Sequence, residues 1–429
     1  MDLSLVRKLP ATLISAVVME LFERLAYYGM VLVLGIYMME HLGIRADVYG
    51  AVYGVFTGAL YFLPLLAGAL ADRFGYRPAF LVAFATLTAG YFLLGSTTRF
   101  GLVCVALGLI AVGGSIIKPT VAGTVTRTTE EGSTRPVGFG LYYMMINLGG
   151  LVGPVVAAQV RNRTEFRYVF WVSAAACALM LLQAATAFRE PVSAQERRSG
   201  KRLAQIVSEI FMVLRNGRFV ALLVIFSGFW GMINVLFGFM PVFVENFTDL
   251  HAVEAAVNRV VPMGHWLNPE VFITLDALLI VLFQAVVSFA TRRWKTVTAM
   301  LVGTAVATVS WVLPAAAPAA AGVVALGIAV WALGEMTCSA RFFEYCGTIA
   351  PGDQVALYLG YSFLAIFLGN LYSGPWAGYL YQHFLADPVA AGRPPHFVPF
   401  FAGVMLMGVA ATVGLAVYSA VVSPRKTAA

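Results

Sequence analysis

Long apolar runs dominate this sequence and leave little room for any other kind of structure. About twelve such runs are separated by short polar or Pro/Gly-rich breaks, and a helix needs about 20 mostly apolar residues to cross a bilayer. The runs lie near residues 11–41, 47–71, 76–97, 100–126, 135–160, 167–188, 217–246, 270–291, 296–315, 319–350, 354–383 and 396–422. Only 11% of the residues are charged, compared with about 25% in an ordinary soluble domain. The pattern predicts an all-α integral membrane protein with about 12 transmembrane helices.

The basic residues indicate how these helices are oriented. If the first helix begins inside the cell, the Lys and Arg residues concentrate in the cytoplasmic loops, for example within residues 197–202, as the positive-inside rule requires. We therefore expect a multi-pass protein of the cell (inner) membrane with both termini in the cytoplasm. Basic residues in these loops are attracted to the lipid bilayer surface, and this accounts for the net charge of +7. We therefore expect no nucleic-acid partner.

The cysteines and histidines form no pattern that is typical of a metal site or an enzyme. The four cysteines fall inside predicted spans without the spacing of a disulfide framework or a zinc site, so we expect no bound metal and no cofactor. The histidines lie in or near predicted outer loops and span ends, away from the buried carboxylates, which argues against a membrane enzyme. They are His41, His251, His265, His383 and His396.

A long polar stretch divides the chain into two parts of similar length. "REPVSAQERRSGK" (189–201) follows the sixth apolar run, and it predicts a six-helix bundle over residues 1–188, a cytoplasmic linker over 189–204 and a second six-helix bundle over 205–429. This arrangement resembles the major facilitator superfamily. The resemblance implies a substrate site between the halves, near the bilayer midplane.

A short loop after the second apolar run contains a further motif. "GALADRFGYRP" (68–78) resembles the superfamily's G-x-x-x-D-R-x-G-R-[RK] loop. A tight Gly-containing turn with charged side chains can hold neighbouring helix ends together in one conformation. We therefore expect Asp72, Arg73 and Arg77 to act in gating. A plain basic cytoplasmic turn is the alternative interpretation.

Charged residues inside the first run are the main functional signal. A charge at the bilayer centre costs about 2.5–3.5 kcal/mol on insertion scales, yet Glu20, Glu23 and Arg24 lie within five residues of one another. Helical spacing puts them on one polar face with Tyr27 and Tyr28. One arginine cannot neutralise two glutamates, so a further cation or a proton is needed.

Lys118 in "GGSIIKPTV" is the available cation. If a Glu–Lys contact forms in one conformation and breaks in another, the glutamate takes up a proton more readily once the contact is lost, and proton uptake becomes coupled to the change. A purely structural ion-pair network is the alternative. In the second half, Glu335 is a buried acid, and Asp276 is either a second proton site or the partner of a polar contact with Gln284.

Six motifs, in order along the chain, resemble the proton-dependent oligopeptide transporter (POT) family. "ELFERLAYYG" is similar to its ExxERFxYYG motif, with Leu25 in place of Phe. "GGSIIKP" resembles the family's lysine motif, "GLYYMMINLGGLVGP" its FYxxINxG motif, and "LNPEVF", "LGEMTCS" and "YLGYSFLAIFLGN" parts of spans eight, ten and eleven.

The resemblance implies a role for each matching residue. Glu20, Glu23, Arg24 and Lys118 would couple transport to protons, and Lys118 would also meet a substrate carboxylate. Glu335 would hold the substrate amino group. The remaining substrate-binding residues would be Tyr27, Tyr28, Asn147, Trp230, Asn234 and Asn268.

The chain departs from the family pattern on the substrate side. Val31 occupies the position of an arginine that usually follows the first motif, and Ile233 and Asn234 stand where the family usually has an acidic residue. Ser362 replaces an expected pocket aromatic. The two extra helices that many bacterial members insert between the halves are also absent from the sequence pattern.

Together these features predict a proton-coupled symporter of di- or tripeptides, or of similar small zwitterions, that works by alternating access. A major facilitator carrier for another small organic solute or drug is the alternative, which the lost charges would explain. We expect the partners to be the small-molecule substrate, protons and the lipid bilayer, and the protein to be a monomer.

Overall fold

The computed structural model describes residues 9–130, 134–191, 208–209, 212–259, 266–351 and 354–422. The helices before the predicted linker are α1 (Ala11–Ile36), α2 (Ala46–Phe62), α3 (Pro64–Phe74), α4 (Tyr76–Ser96), α5 (Phe100–Thr128), α6 (Arg135–Arg163) and α7 (Phe166–Thr186). A π-helical turn, Tyr37–His41, continues α1.

The helices after the linker are α8 (Gly217–Gly238), α9 (Met240–Phe247), α10 (His251–Asn258), α11 (Pro269–Ile273), α12 (Leu275–Thr291), α13 (Thr296–Ser310), α14 (Val312–Ala316), α15 (Ala321–Thr348), α16 (Val355–Tyr381), α17 (Asp387–Ala390) and α18 (Phe397–Val422). A second π-helical turn, Gln382–Ala386, follows α16. Within the described ranges, β structure is limited to one bridge between Asp249 and Ala320.

All the predicted apolar runs are helical, which confirms the all-α membrane fold. In the described part of the chain, nine helices are long and apolar enough to cross a membrane, and there are ten if α2 and α3, which meet at an angle of 41°, are counted as one span. Pro64 begins α3, and its missing N–H and fixed φ account for a break at that point. The two other predicted runs correspond to α1, which carries three charges, and α16, which has 27 residues.

Contacts divide the chain into two compact units. One comprises Met1–Tyr37 and Ala59–Glu209, and the other comprises Met38–Gly58 and Ile210–Ala429. Residues 38–58 thus pack with the second unit although they precede the polar stretch. Much of the predicted linker 189–204 lies outside the described residues, and the division into 1–188, 189–204 and 205–429 stays a prediction.

In the first unit, α1 packs along α6 and also contacts α5 and α7. Glycine makes the α1–α6 approach close: a Cβ added to Gly153 would lie only 2.5 Å from the carbonyl oxygen of Leu25. Small residues allow transmembrane helices to approach in this way, so that van der Waals contacts hold them together. This seam fixes the charged face of α1 against the neighbouring helices.

In the second unit, α8 packs against α16 and α18, α13 against α15 and α18, and α12 against α15. Residues 46–58 of α2 lie against α16 at a second glycine seam. A Cβ on Gly50 would lie 2.2 Å from the carbonyl oxygen of Gly374, and one on Gly54 would lie 2.7 Å from that of Asn370. No side chain larger than glycine fits at these positions without movement of the backbone.

Candidate functional site

The charged face of α1 is enclosed in the first unit. Glu20, Glu23 and Arg24 are only 0%, 1% and 4% exposed. Arg24 Nε lies 3.1 Å from Glu20 Oε1, and Arg24 Nη2 forms a short ion pair with Glu23 Oε2. Among the described residues, neither oxygen of Glu20 has a partner aligned for a hydrogen bond. One guanidinium is therefore shared by two buried carboxylates, and its single positive charge cannot neutralise both of them.

Two glycines bring neighbouring helices close to these charges. A Cβ on Gly149 of α6 would lie 2.5 Å from Arg24 Cβ, and a Cβ on Gly114 of α5 would lie 3.5 Å from Glu23 Oε1. Because α5 and α6 carry no side chain at these points, their backbones cover the charged groups and keep them out of the hydrocarbon. The motifs "GGSIIKP" and "INLGG" thus supply packing surface as well as the side chains predicted to bind protons or substrate.

Lys118 extends the charged cluster from α5. Its Nζ lies 4.6 Å from the ring centroid of Tyr61, which is a cation–π distance. Lys118 acts electrostatically on both Glu20 and Glu23, but in the described part of the chain no ion pair within 4.0 Å joins it to either. The expected Glu–Lys contact is therefore not closed in this conformation, and Lys118 rests on an aromatic face that the sequence did not reveal.

The tyrosines after the charged residues line the same side of α1. Their rings meet edge to face, with centroids 5.2 Å apart. The guanidinium carbon of Arg24 lies 5.3 Å from the ring centroid of Tyr27, and Tyr28 packs on Gly150 of α6. Asn147 is exposed, and its Nδ2 donates to the carbonyl oxygen of Tyr143 in its own helix at 2.9 Å.

Two of the predicted gating residues, Asp72 and Arg77, link helix ends, but with partners that differ from a simple Asp–Arg pair. Asp72 accepts a hydrogen bond from the Tyr76 hydroxyl at 2.7 Å. The Arg77 guanidinium donates to the carbonyl oxygens of Ala184, at 3.3 Å, and Ala185 at the end of α7. The Arg73 guanidinium lies over the ring of Phe74 at 5.6 Å.

Glu190 completes this loop and was not identified from the sequence. Its carboxylate accepts from the backbone N–H groups of Tyr76 and Arg77 at 3.1 and 2.9 Å. These are the first N–H groups of α4, which follows Gly75 at a φ of 104° and has no side-chain cap of its own. A carboxylate at a helix N-terminus satisfies unpaired donors and is favoured by the helix dipole. The only sequence signal was an acid directly after the sixth span.

In the second unit, Asn234 joins three helices through neutral hydrogen bonds. The Thr57 hydroxyl donates to Asn234 Oδ1 at 3.0 Å, and Asn234 Nδ2 donates to the Ser373 hydroxyl at 3.0 Å. All three side chains are buried. Position 234, where POT transporters usually have an acid nearby, is therefore part of a neutral hydrogen-bond network. The sequence pattern did not identify Thr57 or Ser373 as members of this network.

Trp230 belongs to an aromatic cluster. Its ring centroid lies 5.4 Å from that of Phe229 and 6.0 Å from that of Phe343. Asn268 is the residue before α11, and its Nδ2 donates to Glu270 Oε1 at 3.4 Å. Asn268 thus has a hydrogen-bond partner within the protein in this conformation, whereas the buried Trp230 Nε1 has none among the described residues.

Two carboxyl groups of α12 and α15 complete the site in this unit. Trp331 Nε1 donates to Glu335 Oε2 at 3.2 Å, and Glu335 acts electrostatically on Asp276. Gln284 does not contact Asp276; its Nε2 donates to Ser288 and to the carbonyl oxygen of Met336. The structure therefore excludes the polar contact with Gln284 that was one explanation for Asp276.

No cluster of three or more His, Cys, Asp or Glu side chains suited to a metal ion occurs within the described ranges. The chemistry available in the first unit is instead that of two buried carboxylates, one buried guanidinium and one partly buried ammonium. Such a set can bind protons and small charged solutes.

Comparisons with known proteins place this geometry in context. The family model of the Major Facilitator Superfamily matches residues 16–375. A dipeptide and tripeptide permease B of Aliivibrio fischeri (strain MJ11) is 33% identical over 154 residues, which are 35% of this chain and 31% of the permease. The match thus spans about a third of the length of that relative.

Solved structures show the fold over nearly the whole chain. A POT family transporter in complex with 5-aminolevulinic acid has a TM-score of 0.78 at 18% identity, with 98% of this chain and 97% of that chain covered. A peptide transporter POT in complex with sulfate has a TM-score of 0.75 at 19% identity, with 95% and 94% covered.

These findings confirm the resemblance to POT transporters that six sequence motifs indicated. The relatives are permeases and transporters, in agreement with a carrier and not with an enzyme. Because the superfamily model covers most of the chain, including every charged position of α1, the chain belongs to the Major Facilitator Superfamily.

Proposed function

We propose that this protein is a proton-coupled symporter of di- or tripeptides, or of similar small zwitterions, that works by alternating access. The observation that carries the proposal is the enclosed set of Glu20, Glu23 and Arg24 with Lys118 in electrostatic range. Charges inside a membrane protein are costly and mark ion or substrate pathways by default. The permease relatives, which are named for dipeptides and tripeptides, support the substrate class.

The charge balance of this set explains how a proton and an anion would travel together. With all four groups ionised, two carboxylates balance one guanidinium and one ammonium. Protonation of Glu20 or Glu23 leaves one positive charge in excess, and a substrate carboxylate beside Lys118 would restore neutrality. Each ligand therefore favours binding of the other, which is the thermodynamic requirement for symport.

Glu335 is proposed to anchor the amino group of the substrate. Its Oε2 already accepts from Trp331 Nε1, and this hydrogen bond orients the carboxylate and stabilises its charge. Lys118 and Glu335 are thus the proposed binding groups for the carboxylate and the ammonium group of a zwitterion. The ligand in one similar structure, 5-aminolevulinic acid, is also a small molecule with an amino and a carboxyl group.

The neutral residues Val31 and Asn234 are proposed to narrow the substrate range. Each replaces a charge that the POT pattern usually has, so fewer charged anchors remain for a long peptide backbone. Short solutes with one ammonium and one carboxylate need only the two anchors that are retained. We also propose that Tyr27, Tyr28 and the residues named above as pocket groups contact the solute by hydrogen bonds and ring faces.

The cellular setting is proposed on the same basis. The loops rich in Lys and Arg favour a cell (inner) membrane location with cytoplasmic termini. Protons, the solute and the bilayer would be the partners of a monomer, since one chain of this superfamily already contains a complete carrier fold.

Uptake into proteoliposomes tests the proposal. Purified protein is reconstituted, a proton gradient is imposed, and accumulation of labelled dipeptides, tripeptides, 5-aminolevulinic acid and unrelated solutes is compared. We expect accumulation of zwitterions above the equilibrium level. Accumulation of an uncharged solute with no response to any zwitterion would contradict the substrate assignment, and uptake that ignores the gradient would contradict proton coupling.

Glu23→Gln and Lys118→Ala sharpen the test. Both should abolish concentrative uptake, because one removes the proton acceptor and the other removes the cation that responds to it. Glu165→Gln is the matched control, since it changes an exposed carboxyl that pairs with the exposed Arg167. It should transport like the unmodified protein.

A further inference from the structure

Asp276 is a buried acid for which the coupling scheme above has no role. It lies in the first turn of α12 and is 2% exposed. Its Oδ1 is enclosed and has no hydrogen-bond partner among the described residues. A lone ionised carboxylate in such surroundings is far more costly than a neutral one, because nothing replaces its lost hydration. The side chain therefore needs a cation or a proton.

Among the described residues, the group that acts electrostatically on Asp276 is a second acid and not a cation. Glu335 of α15 acts on it electrostatically, and Glu270 of α11 lies six residues earlier in the chain, where it accepts from Asn268. The side chain of Cys338, also on α15, lies on the side of that helix that packs against α13. A Cβ added to Gly303 of α13 would be only 2.6 Å from Cys338 Cβ. A proton is the neutralising ligand that this environment favours.

Arg341, the basic residue in the pair formed by α12 and α15, lies too far from Asp276 to neutralise it. Arg341 of α15 binds Glu344 at 2.7 Å, and its Nη2 donates to the carbonyl oxygen of Thr291 at 3.1 Å. Thr291 follows Asp276 by fifteen residues, which is about 22 Å along an α-helix. Arg341 and Glu344 therefore neutralise each other at the opposite end of α12.

The two coupled acids are not equivalent. Glu335 has a donor, Trp331 Nε1, that stabilises its anion, whereas Asp276 Oδ1 has none. Two carboxyl groups that interact inside a low-dielectric region do not both ionise readily, and a hydrogen bond to the charged form decides which of them does. The proton consequently belongs on Asp276 and the charge on Glu335.

We propose that Asp276 is a second proton-binding site of this carrier, located in the second unit, which keeps Glu335 available as an anion for the substrate ammonium group. Asp276 takes up a proton when the surrounding helices enclose it and releases it when a change of conformation brings water to it. One proton thus enters and leaves with each cycle in addition to the proton bound on α1. This inference rests on the proposed symport function and adds a coupling site to it.

The limiting accumulation ratio measures the number of coupled protons. At zero membrane potential, each coupled proton multiplies that limit by ten for every pH unit of imposed gradient, because a tenfold concentration ratio of protons drives a tenfold ratio of solute. We expect Asp276→Asn to lower the limit about tenfold per pH unit while solute exchange without a gradient continues. Glu165→Gln is the control and should keep the limit of the unmodified protein.

An infrared titration decides the question if Asp276→Asn fails to transport. Purified protein should show the C=O stretch of a protonated carboxylic acid at neutral pH, and part of this band should vanish in Asp276→Asn but not in Glu165→Gln. An unchanged accumulation limit in a transporting variant, or an unchanged band in a folded one, overturns the inference. If the unmodified protein fails to concentrate any solute, the proposed function is wrong, whereas the infrared band still decides whether Asp276 binds a proton.

Discussion

Replacement of Arg24 by glutamine tests whether the charged face of α1 is balanced as the structure indicates. Arg24 forms ion pairs within 4.0 Å with both Glu20 and Glu23, and no other described residue does so. All three side chains are buried. Arg24→Gln keeps most of the side-chain volume and removes the charge. Among the described residues, it leaves Lys118 as the cation that still acts on the two enclosed carboxylates.

The expected loss of stability follows from this count. Removal of one partner from a buried ion pair costs about 3–5 kcal/mol, a large part of the roughly 5–15 kcal/mol that stabilises a typical protein. The variant can reduce the loss by protonating a glutamate. The folded variant then binds one more proton than the unfolded chain, whose carboxylates are ionised at neutral pH, so its stability rises as the pH falls.

The pH dependence gives the prediction its sign and size. One extra proton in the folded state corresponds to about 1.4 kcal/mol per pH unit, so a fall of two units should restore about 2.7 kcal/mol. Thermal unfolding of the detergent-solubilised protein at pH 5.5 and 7.5 measures the difference. Glu20→Gln combined with Arg24→Gln should recover stability at both pH values, because one carboxylate fewer remains for Lys118 to compensate.

Arg45→Gln is the matched control. Arg45 also pairs with a carboxylate, Asp47, at 2.8 Å, but both side chains are exposed, and such surface pairs contribute about 0–1 kcal/mol. A loss for Arg24→Gln no greater than that for Arg45→Gln, or a loss that does not change with pH, would refute the charge balance. The alternative would be that water or lipid headgroups reach the α1 carboxylates.

Other predictions concern the packing and hydrogen bonds around the sites. Glu190→Ala should destabilise the start of α4 by about 1 kcal/mol, visible as faster amide exchange there. Gly153→Val should cost about 1–3 kcal/mol by forcing α1 and α6 apart, while Gly140→Val, where an added Cβ meets nothing within 4 Å, should not show this loss in thermal unfolding. Asn234→Leu should cost about 1–3 kcal/mol, because the buried Ser373 hydroxyl loses its hydrogen bond with Asn234 Nδ2, whereas the Thr57 hydroxyl keeps the carbonyl oxygen of Tyr53 as an acceptor.

The helices could be predicted from the sequence because the bilayer fixes their length and composition. Each apolar run contains a helix, and even the run near 11–41 ends where the π-helical turn Tyr37–His41 ends. Breaks inside the runs were not predicted. One falls at Leu63 before Pro64, and another at Thr274 between α11 and α12. A hydrophobic run shows how much chain crosses the membrane, but not where local backbone geometry interrupts it.

The charged residues inside the membrane could be identified from the sequence, but the groups that they contact could not. Each acid or base stood out because an intramembrane charge is costly. Some partners lie on other helices and are ordinary residues in sequence, such as Tyr61 beneath Lys118 and the carbonyl oxygens at the end of α7 that bind Arg77. A backbone carbonyl or a packing aromatic has no distinctive pattern in a sequence, so only the fold identifies it.

The changes at positions 31 and 234 illustrate how a carrier can lose charges without losing its fold. Relative to the POT pattern, Val31 removes a cation and the 233–234 pair removes an anion, so the total charge inside the membrane is unchanged. An acid retained alone at 234 would be buried beside the neutral groups of Thr57 and Ser373, where it would need a proton. Asn234 makes the same hydrogen bonds at any pH. In the proposed scheme, proton binding in the second unit then falls to Asp276 beside Glu335, on helices that do not include this neutral network.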